Sequence, residues 1–263
     1  MKLKYNYHTH TYRCGHALGE DEDYVNCAIK AGIKELGFSD HAPFNGISQP
    51  RVRMDFSQLD EYISSINKLK EKYKDQIKIY VGLEAEYFHE INDYYKELLT
   101  KLDYLICGQH YALDNSGQPS YVGFKKDDKI MAKGYVDRVV EAIGSGFFKY
   151  IAHPDIILNS YTIRDDFIKE QCLRIIDAAE RCHVPLEINL EGMNRKVRNG
   201  APLDDIFYPY LYFWKMLEGR DVDVILGIDA HYPEAFLQDY DKYGEEIIKM
   251  FKLHKINRIN IED

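Results

Sequence analysis

The sequence has no CxxC pair. Its five cysteines, Cys14, Cys27, Cys107, Cys172 and Cys182, are scattered and odd in number. That argues against a thiolate zinc knuckle and against a disulfide framework. No run of eighteen or more apolar residues occurs, so no membrane span is expected. The opening residues, MKLKYNYHTH, lack the apolar core of a signal peptide, and a cytoplasmic protein is expected. Basic side chains are in deficit, 34 against 43 acidic ones, for a net charge of -9. An acidic surface disfavours nucleic acid, which needs Lys and Arg on its phosphates. It leaves an anionic substrate open, because bound cations reverse the sign locally. No low-complexity linker, repeat or Pro/Gly-rich hinge divides the 263 residues, which read as a single domain over 1–263 with a sizeable core.

What is present is a rhythm. Short apolar runs fall at Leu3 to His10, Glu35 to His41, Ile77 to Glu86, Asp103 to His110, Lys149 to His153, Pro185 to Leu190 and Val222 to His231. Between them lie stripes at helical spacing: Leu59, Tyr62, Ile63, Ile66 and Leu69; Val136, Val139, Val140 and Ile143; Ile168, Cys172, Ile175, Ile176 and Ala179. The acidic run at Glu20 to Tyr24 suits the first turn of a helix, whose dipole favours negative charge there. Strands alternating with helices predict a parallel sheet, and seven units without a break predict a closed or nearly closed α/β barrel.

The strands end in metal-type residues: His8 with His10, then His41, Glu84, His110, His153, and Asp229 with His231, while His16 follows the first strand closely. The C-terminal strand ends of an α/β barrel form its active-site face. Side chains at i and i+2 share a side of a strand, so His8 pairs with His10 and Asp229 with His231. Gly82, Gly108 and Gly227 each stand two residues before a polar position, where a small residue leaves room beneath a cluster. Seven of the ten histidines share this placement; His89, His183 and His254 do not. Imidazoles with two carboxylates suit Zn, Mn or Fe. The donors exceed the four that one tetrahedral zinc takes, and they suffice for two or three ions if Glu84 bridges. Clustered divalent ions clamp phosphates and activate water.

Seven ordered blocks resemble the PHP superfamily, named for polymerase and histidinol phosphatase. They are the HxH near the N-terminus with the following RCGHA, GFSDHAP at Gly37, GLEAEY at Gly82, GQHY at Gly108, AHPD at Ala152 and GIDAH at Gly227. With EINLEG at Glu187, the set is most similar to the histidinol-phosphate phosphatases. The resemblance implies a distorted, TIM-barrel-like (β/α)7 barrel with its active site at the C-terminal strand ends. It implies two or three divalent ions held by His8, His10, His16, His41, Glu84, His110, His153, Asp229 and His231. It also implies hydrolysis of L-histidinol phosphate to L-histidinol and phosphate in histidine biosynthesis, by attack of a metal-bridging hydroxide. Asp229 would then accept a proton, and His231 or a metal-bound water would protonate the leaving group. Glu86, on the same side as Glu84, is a candidate contact to the substrate's ammonium. Arg195, then Arg198, then Arg164 are candidate phosphate contacts, since a guanidinium matches phosphate geometry.

The expected partner is a small phosphorylated substrate, with neither nucleic acid nor membrane. The alternative within the superfamily is another phosphoesterase: a protein-tyrosine phosphatase, a nucleotide phosphoesterase or an exonuclease. Outside it stand a metal-binding scaffold without catalysis and an amidohydrolase. The filled donor positions give the scaffold no support. Glu84, where such hydrolases commonly place a lysine, disfavours the amidohydrolase.

Overall fold

The computed structural model describes residues 3–193 and 209–261. Strand β1 (Tyr5–Asn6) pairs in parallel with β2 (Glu35–His41), β2 with β3 (Lys78–Ala85), and β3 with β4 (Tyr104–Cys107). A hairpin, β5 (Tyr111–Leu113) and β6 (Pro119–Tyr121), follows directly. Strands β7 (Leu186–Asn189) and β8 (Asp223–Gly227) are again parallel, and the short β9 (His254–Lys255) joins the starting end of β8. Single parallel bridges complete the ring: Ile151 to Cys107 on one side and to Leu186 on the other, and Thr9 to Ala230. Seven parallel segments thus close on themselves, which is the distorted barrel expected from the sequence.

Outside the ring lie α1 (Asp21–Ala31), α2 (Leu59–Lys72), α3 (Asn92–Leu99), α4 (Lys129–Ser145), the one-turn α5 (Ile157–Ser160), α6 (Asp166–Cys182) and a C-terminal helix, Tyr240–Phe251. The three apolar stripes lie on α2, α4 and α6. The acidic run opens α1, where Asp23 closes a capping box with Glu20.

Strand periodicity of two decides what faces where. On β3, Ile79, Val81, Leu83 and Ala85 join the large core under the helices. Tyr80 points the other way, into a second core inside the barrel with Tyr7, Tyr104, Ile106, Tyr150 and Ile225. Tyrosine rings fill the barrel floor. The Tyr104 hydroxyl donates to the carbonyls of Tyr7 and Phe38 (2.7 and 3.0 Å), and Tyr7 donates to Glu35 (2.6 Å). Above this floor the same inward row continues from Tyr80 through Gly82 to Glu84. The packed layer of rings therefore supports the polar layer.

Of the seven expected strands only Glu35–His41 keeps its full length, and two of the others are cut back most. The first keeps a continuous ladder only at Tyr5–Asn6; beyond it backbone pairing is reduced to the Thr9–Ala230 bridge and side chains add to the seam. Ile228 N–H donates to the Asn6 carboxamide oxygen (2.8 Å), while the Asn6 amide donates to the His8 carbonyl and to Thr9 Oγ1 (both 2.9 Å). The segment at Lys149 to His153 is reduced to the Ile151 bridges, since the chain turns out at His153 with φ 32°. Asn6 is the closing rivet of the barrel, fully buried. Replacing it by alanine leaves the buried Ile228 N–H without its acceptor and removes a donor from the His8 carbonyl and the Thr9 hydroxyl, and is expected to destabilise the fold by about 1–3 kcal/mol. Urea or thermal unfolding of Asn6→Ala measures this, and unchanged stability would contradict the role.

Candidate active site

Glu84 is the centre of the polar layer. It sits at the end of β3, 1% exposed, and five imidazoles reach its carboxylate. His153 Nε2 lies 2.8 Å away, His41 Nδ1 2.9 Å, His110 and His10 Nε2 3.5 Å each, and His8 Nε2 3.6 Å. Asp229 is a second hub, with its Oδ1 2.9 Å from His10 Nε2, 3.3 Å from His8 Nε2 and 3.5 Å from His231 Nδ1. His16 completes the ring of imidazoles from the loop after β1, its centroid 4.8 Å from that of His231 and 5.5 Å from that of His41. All nine donors singled out in the sequence come together. His89, exposed, and His254, paired with Asp223 at the far end of β8, do not join them, and His183 ends α6.

The backbone is bent to achieve this. Asp229 has φ 53° and His153 φ 32°, the left-handed region that non-glycine residues enter at a cost of about 1–3 kcal/mol. Close approach dictates two glycines. A Cβ on Gly108 would stand 1.7 Å from Glu84 Oε1, and one on Gly227 1.7 Å from Glu187 Oε1. The space under the cluster is thus filled by the carboxylates themselves, while Gly82 accommodates the Tyr104 ring.

A second tier of carboxylates orients the first. Glu187 accepts from His8 Nδ1 (2.8 Å), from the His153 N–H (3.1 Å) and from Asn189 (3.0 Å). Asn189 also donates to Asp229 (3.0 Å). Asp40 lies 3.6 Å from His10 Nδ1 and accepts from the N–H of His41 (2.8 Å). Carboxylate behind imidazole is the arrangement that fixes ring orientation and basicity at metal sites. Neither Glu187 nor Asp40 was singled out from the sequence. Each shares its segment with a recognised donor, and the i, i+2 rule applied to EINLEG would have turned Glu187 and Asn189 inward together.

The cluster's electrostatics follow from its burial. Burial alone would raise the Glu84 carboxyl, but His110, His41 and His8 outweigh it and hold it well below the carboxylate range. Asp229 is held low in the same way by His8 and His231. Burial opposes charging of His10, yet Asp229 and Asp40 push it up to about 9. His8 is raised as well, by Asp229, Glu187 and Glu84. Burial dominates at His41 and His231, which fall to about 4 and about 3. Burial also pushes the Cys14 thiol up to about 12, so it packs as a small apolar residue.

Whether this donor set suits metal ions can be read from its unsatisfied atoms. His8 Nε2, His41 Nδ1, Glu84 Oε2 and Asp229 Oδ1 are buried and have no hydrogen-bond partner among the described residues. Buried polar atoms are normally paired. Here they point at one another with ligand spacing: His8, Glu84 and His153; His8, His10 and Asp229; and His10, His41 and His231 each bring donors within 4.8 Å. The residues fit divalent ions.

The cluster floors a cavity of about 860 Å³, walled by Arg51, Val52, Tyr111, Tyr121, Phe124, Ile156, Asn159 and Glu191. Two expected substrate contacts are placed elsewhere. Glu86 is buried beside the cavity, gripped by Arg53 (2.8 and 2.9 Å) with His110 Nδ1 at 3.4 Å, and it is not among the residues that line the cavity. Arg164 donates to the carbonyl of Tyr161 (2.9 Å) and stacks on Tyr210 and Tyr212, outside the cavity wall. Arg195 and Arg198 lie outside the described residues. Among the described residues the arginine that lines the cavity is Arg51, which was missed because the loop after GFSDHAP carries no periodicity that would aim it.

Comparison with known proteins agrees with this geometry. The family model described as the PHP domain matches residues 6–191. A Deinococcus radiodurans protein described as a probable histidinol-phosphatase is 27% identical over 234 residues, 86% of this chain and 85% of that one. The histidinol-phosphatase of Bacillus subtilis is 24% identical over 272 residues, 88% of this chain and 97% of its own. The solved histidinol phosphate phosphatase of Lactococcus lactis, in complex with zinc, L-histidinol and phosphate, superposes with a TM-score of 0.73. That match has 18% identity over 99% of this chain and 100% of the other. A seven-segment barrel whose strand ends gather imidazoles around one glutamate, with a family match over most of the chain, makes this protein a member of the PHP domain family.

Proposed function

We propose that the protein is a metal-dependent phosphomonoesterase that hydrolyses L-histidinol phosphate to L-histidinol and phosphate. The observation that carries the reaction class is the convergence of unsatisfied imidazole and carboxylate donors on Glu84. The substrate is supported by the relatives, two of which are named for it and one of which was solved with L-histidinol and phosphate bound. His8, His10, Glu84 and Asp229 are suited to hold one ion, Glu84, His110 and His153 a second, and His16, His41 and His231 a third. Bound there, divalent ions supply an activated water and a clamp for phosphate oxygens.

The chain's own groups do the rest. Glu187 and Asp40 hold the imidazoles in place from behind. Asp229, kept ionised, is the base placed to accept a proton from the attacking water. His231 Nδ1 faces the Asp229 carbonyl at 2.9 Å and so carries its proton there, which leaves Nε2 as a lone-pair donor. With its pKa down near 3, this imidazole serves better as a ligand than as the acid first expected of it. Arg51, at the cavity wall, is the described guanidinium placed for the substrate's phosphate.

The whole chain acts as one domain in this reading, because β8 closes the ring and delivers Asp229 and His231. No helix among the described residues is long and apolar enough to cross a membrane. The five free cysteines suit the reducing cytoplasm, which we infer as the site of action.

Phosphate release from histidinol phosphate, a nucleotide, phosphotyrosine and p-nitrophenyl phosphate should strongly favour the first; preference for phosphotyrosine or the nucleotide would overturn the substrate. Asp229→Asn should lower kcat by roughly 10²–10⁴-fold, and His8→Ala should lose both metal and activity, so full retention of either in His8→Ala contradicts the centre. Without ions, His10 holds a proton below about pH 9 that a bound ion must displace, whereas His41 and His231 are already neutral at pH 7. Affinity for zinc should therefore rise with pH towards 9. Adding zinc to the ion-free protein at pH 7 in dilute buffer should release at least one proton; saturation without proton release would refute the assignment of His10.

A further inference from the structure

The cavity has two chemically different ends. Donors form its floor, and aromatic rings line one wall. The wall is tied to the floor by the backbone. His110 ends the segment after β4, the β5 strand starts at the next residue, and Val122 N–H donates back to the His110 carbonyl (2.9 Å). Tyr111 pairs with Tyr121 across the hairpin. This register lays the Tyr121 ring nearly parallel to His110, with 17° between planes and 6.4 Å between centroids. Phe124 continues the row outward, edge-to-face with Tyr121 at 5.2 Å. Gly123 is what permits this fold-back: a Cβ there would stand 2.1 Å from the Tyr121 ring, so a larger residue would expel it.

At the outer end of the row Phe124 is 67% exposed, with its phenyl group on the cavity wall. An exposed phenylalanine alone means little. This one stands in line with a half-buried stack that begins at a metal-type imidazole, in a cavity whose remaining apolar wall among the described residues is Val52 and Ile156.

We propose that Phe124, backed by Tyr121, is the specificity-determining surface that stacks on a planar ring carried by the alcohol part of the phosphate ester. The inference rests on the phosphatase reading and deepens it, since an imidazole a few bonds from the phosphate is such a ring. The stack is indifferent to the ring's protonation, because a neutral imidazole pairs with an aromatic face and an imidazolium adds cation–π attraction. It selects for flat, ring-bearing alcohols over aliphatic ones of equal charge.

The test compares kcat/KM for histidinol phosphate with that for phosphoethanolamine, which keeps the phosphate and the ammonium and lacks the ring. In Phe124→Ala the preference for histidinol phosphate should shrink by about three- to tenfold, through KM rather than kcat. Phe124→Trp should restore the preference, and Phe124→Leu, apolar but without a π face, should not. Inhibition by L-histidinol should weaken in Phe124→Ala by a similar factor relative to inhibition by inorganic phosphate. An unchanged preference in Phe124→Ala, or full restoration by leucine, overturns the stacking role while leaving the phosphatase reading intact. If the wild-type protein releases no phosphate from histidinol phosphate, that reading fails first and the inference falls with it.

Discussion

A carboxylate taken out of water costs several kcal/mol unless opposite or polarisable groups surround it. Glu84 is such a group, buried at the end of β3 with five imidazoles within 3.6 Å. Much of the molecule can be understood as the means of holding it there. The ring of parallel segments brings the imidazoles from β1, β2, β4 and Ile151's segment to one rim. The tyrosine floor keeps that rim from collapsing inward. Gly108 vacates the volume that the Glu84 side chain occupies. Asp40 and Glu187 stand behind His10 and His8, so the rings present fixed nitrogens to the centre.

The same constraint explains the strain. Left-handed Asp229 and His153 cost stability, and Asn6 replaces ladder bonds with side-chain bonds where β1 meets β8. These irregularities lie where the ring must distort to aim donors inward. Ions bound to the native state and not to the unfolded chain would return stability by mass action. Fold and function are coupled through the same few residues.

Much of this was legible in the sequence, for physical reasons. Short apolar runs at β3 and β8 and helical stripes on α2, α4 and α6 are strong local signals, and their alternation pointed to the barrel. Imidazoles at successive strand ends gave the cluster, since strand direction alone brings those ends together. What escaped depended on contacts between loops. Glu86 reads like a contact to the substrate's ammonium until Arg53, from a segment without periodicity, is seen to hold it. Arg164 looks available until Tyr210 and Tyr212 are found stacked against it. The hairpin Tyr111 to Tyr121 was hidden because its strands are three residues long and carry no apolar alternation. The arginines at 195 and 198 lie outside the described residues, so the phosphate contact rests on Arg51.

The central claim is that Glu84 is shared between ions. Crystals of the protein loaded with zinc, measured with anomalous scattering at the zinc edge, test it most directly. The account predicts two or three peaks inside the imidazole ring, with at least two of them bonded to the Glu84 carboxylate. Zinc found only at surface sites, or a single ion with Glu84 unbound, would contradict it.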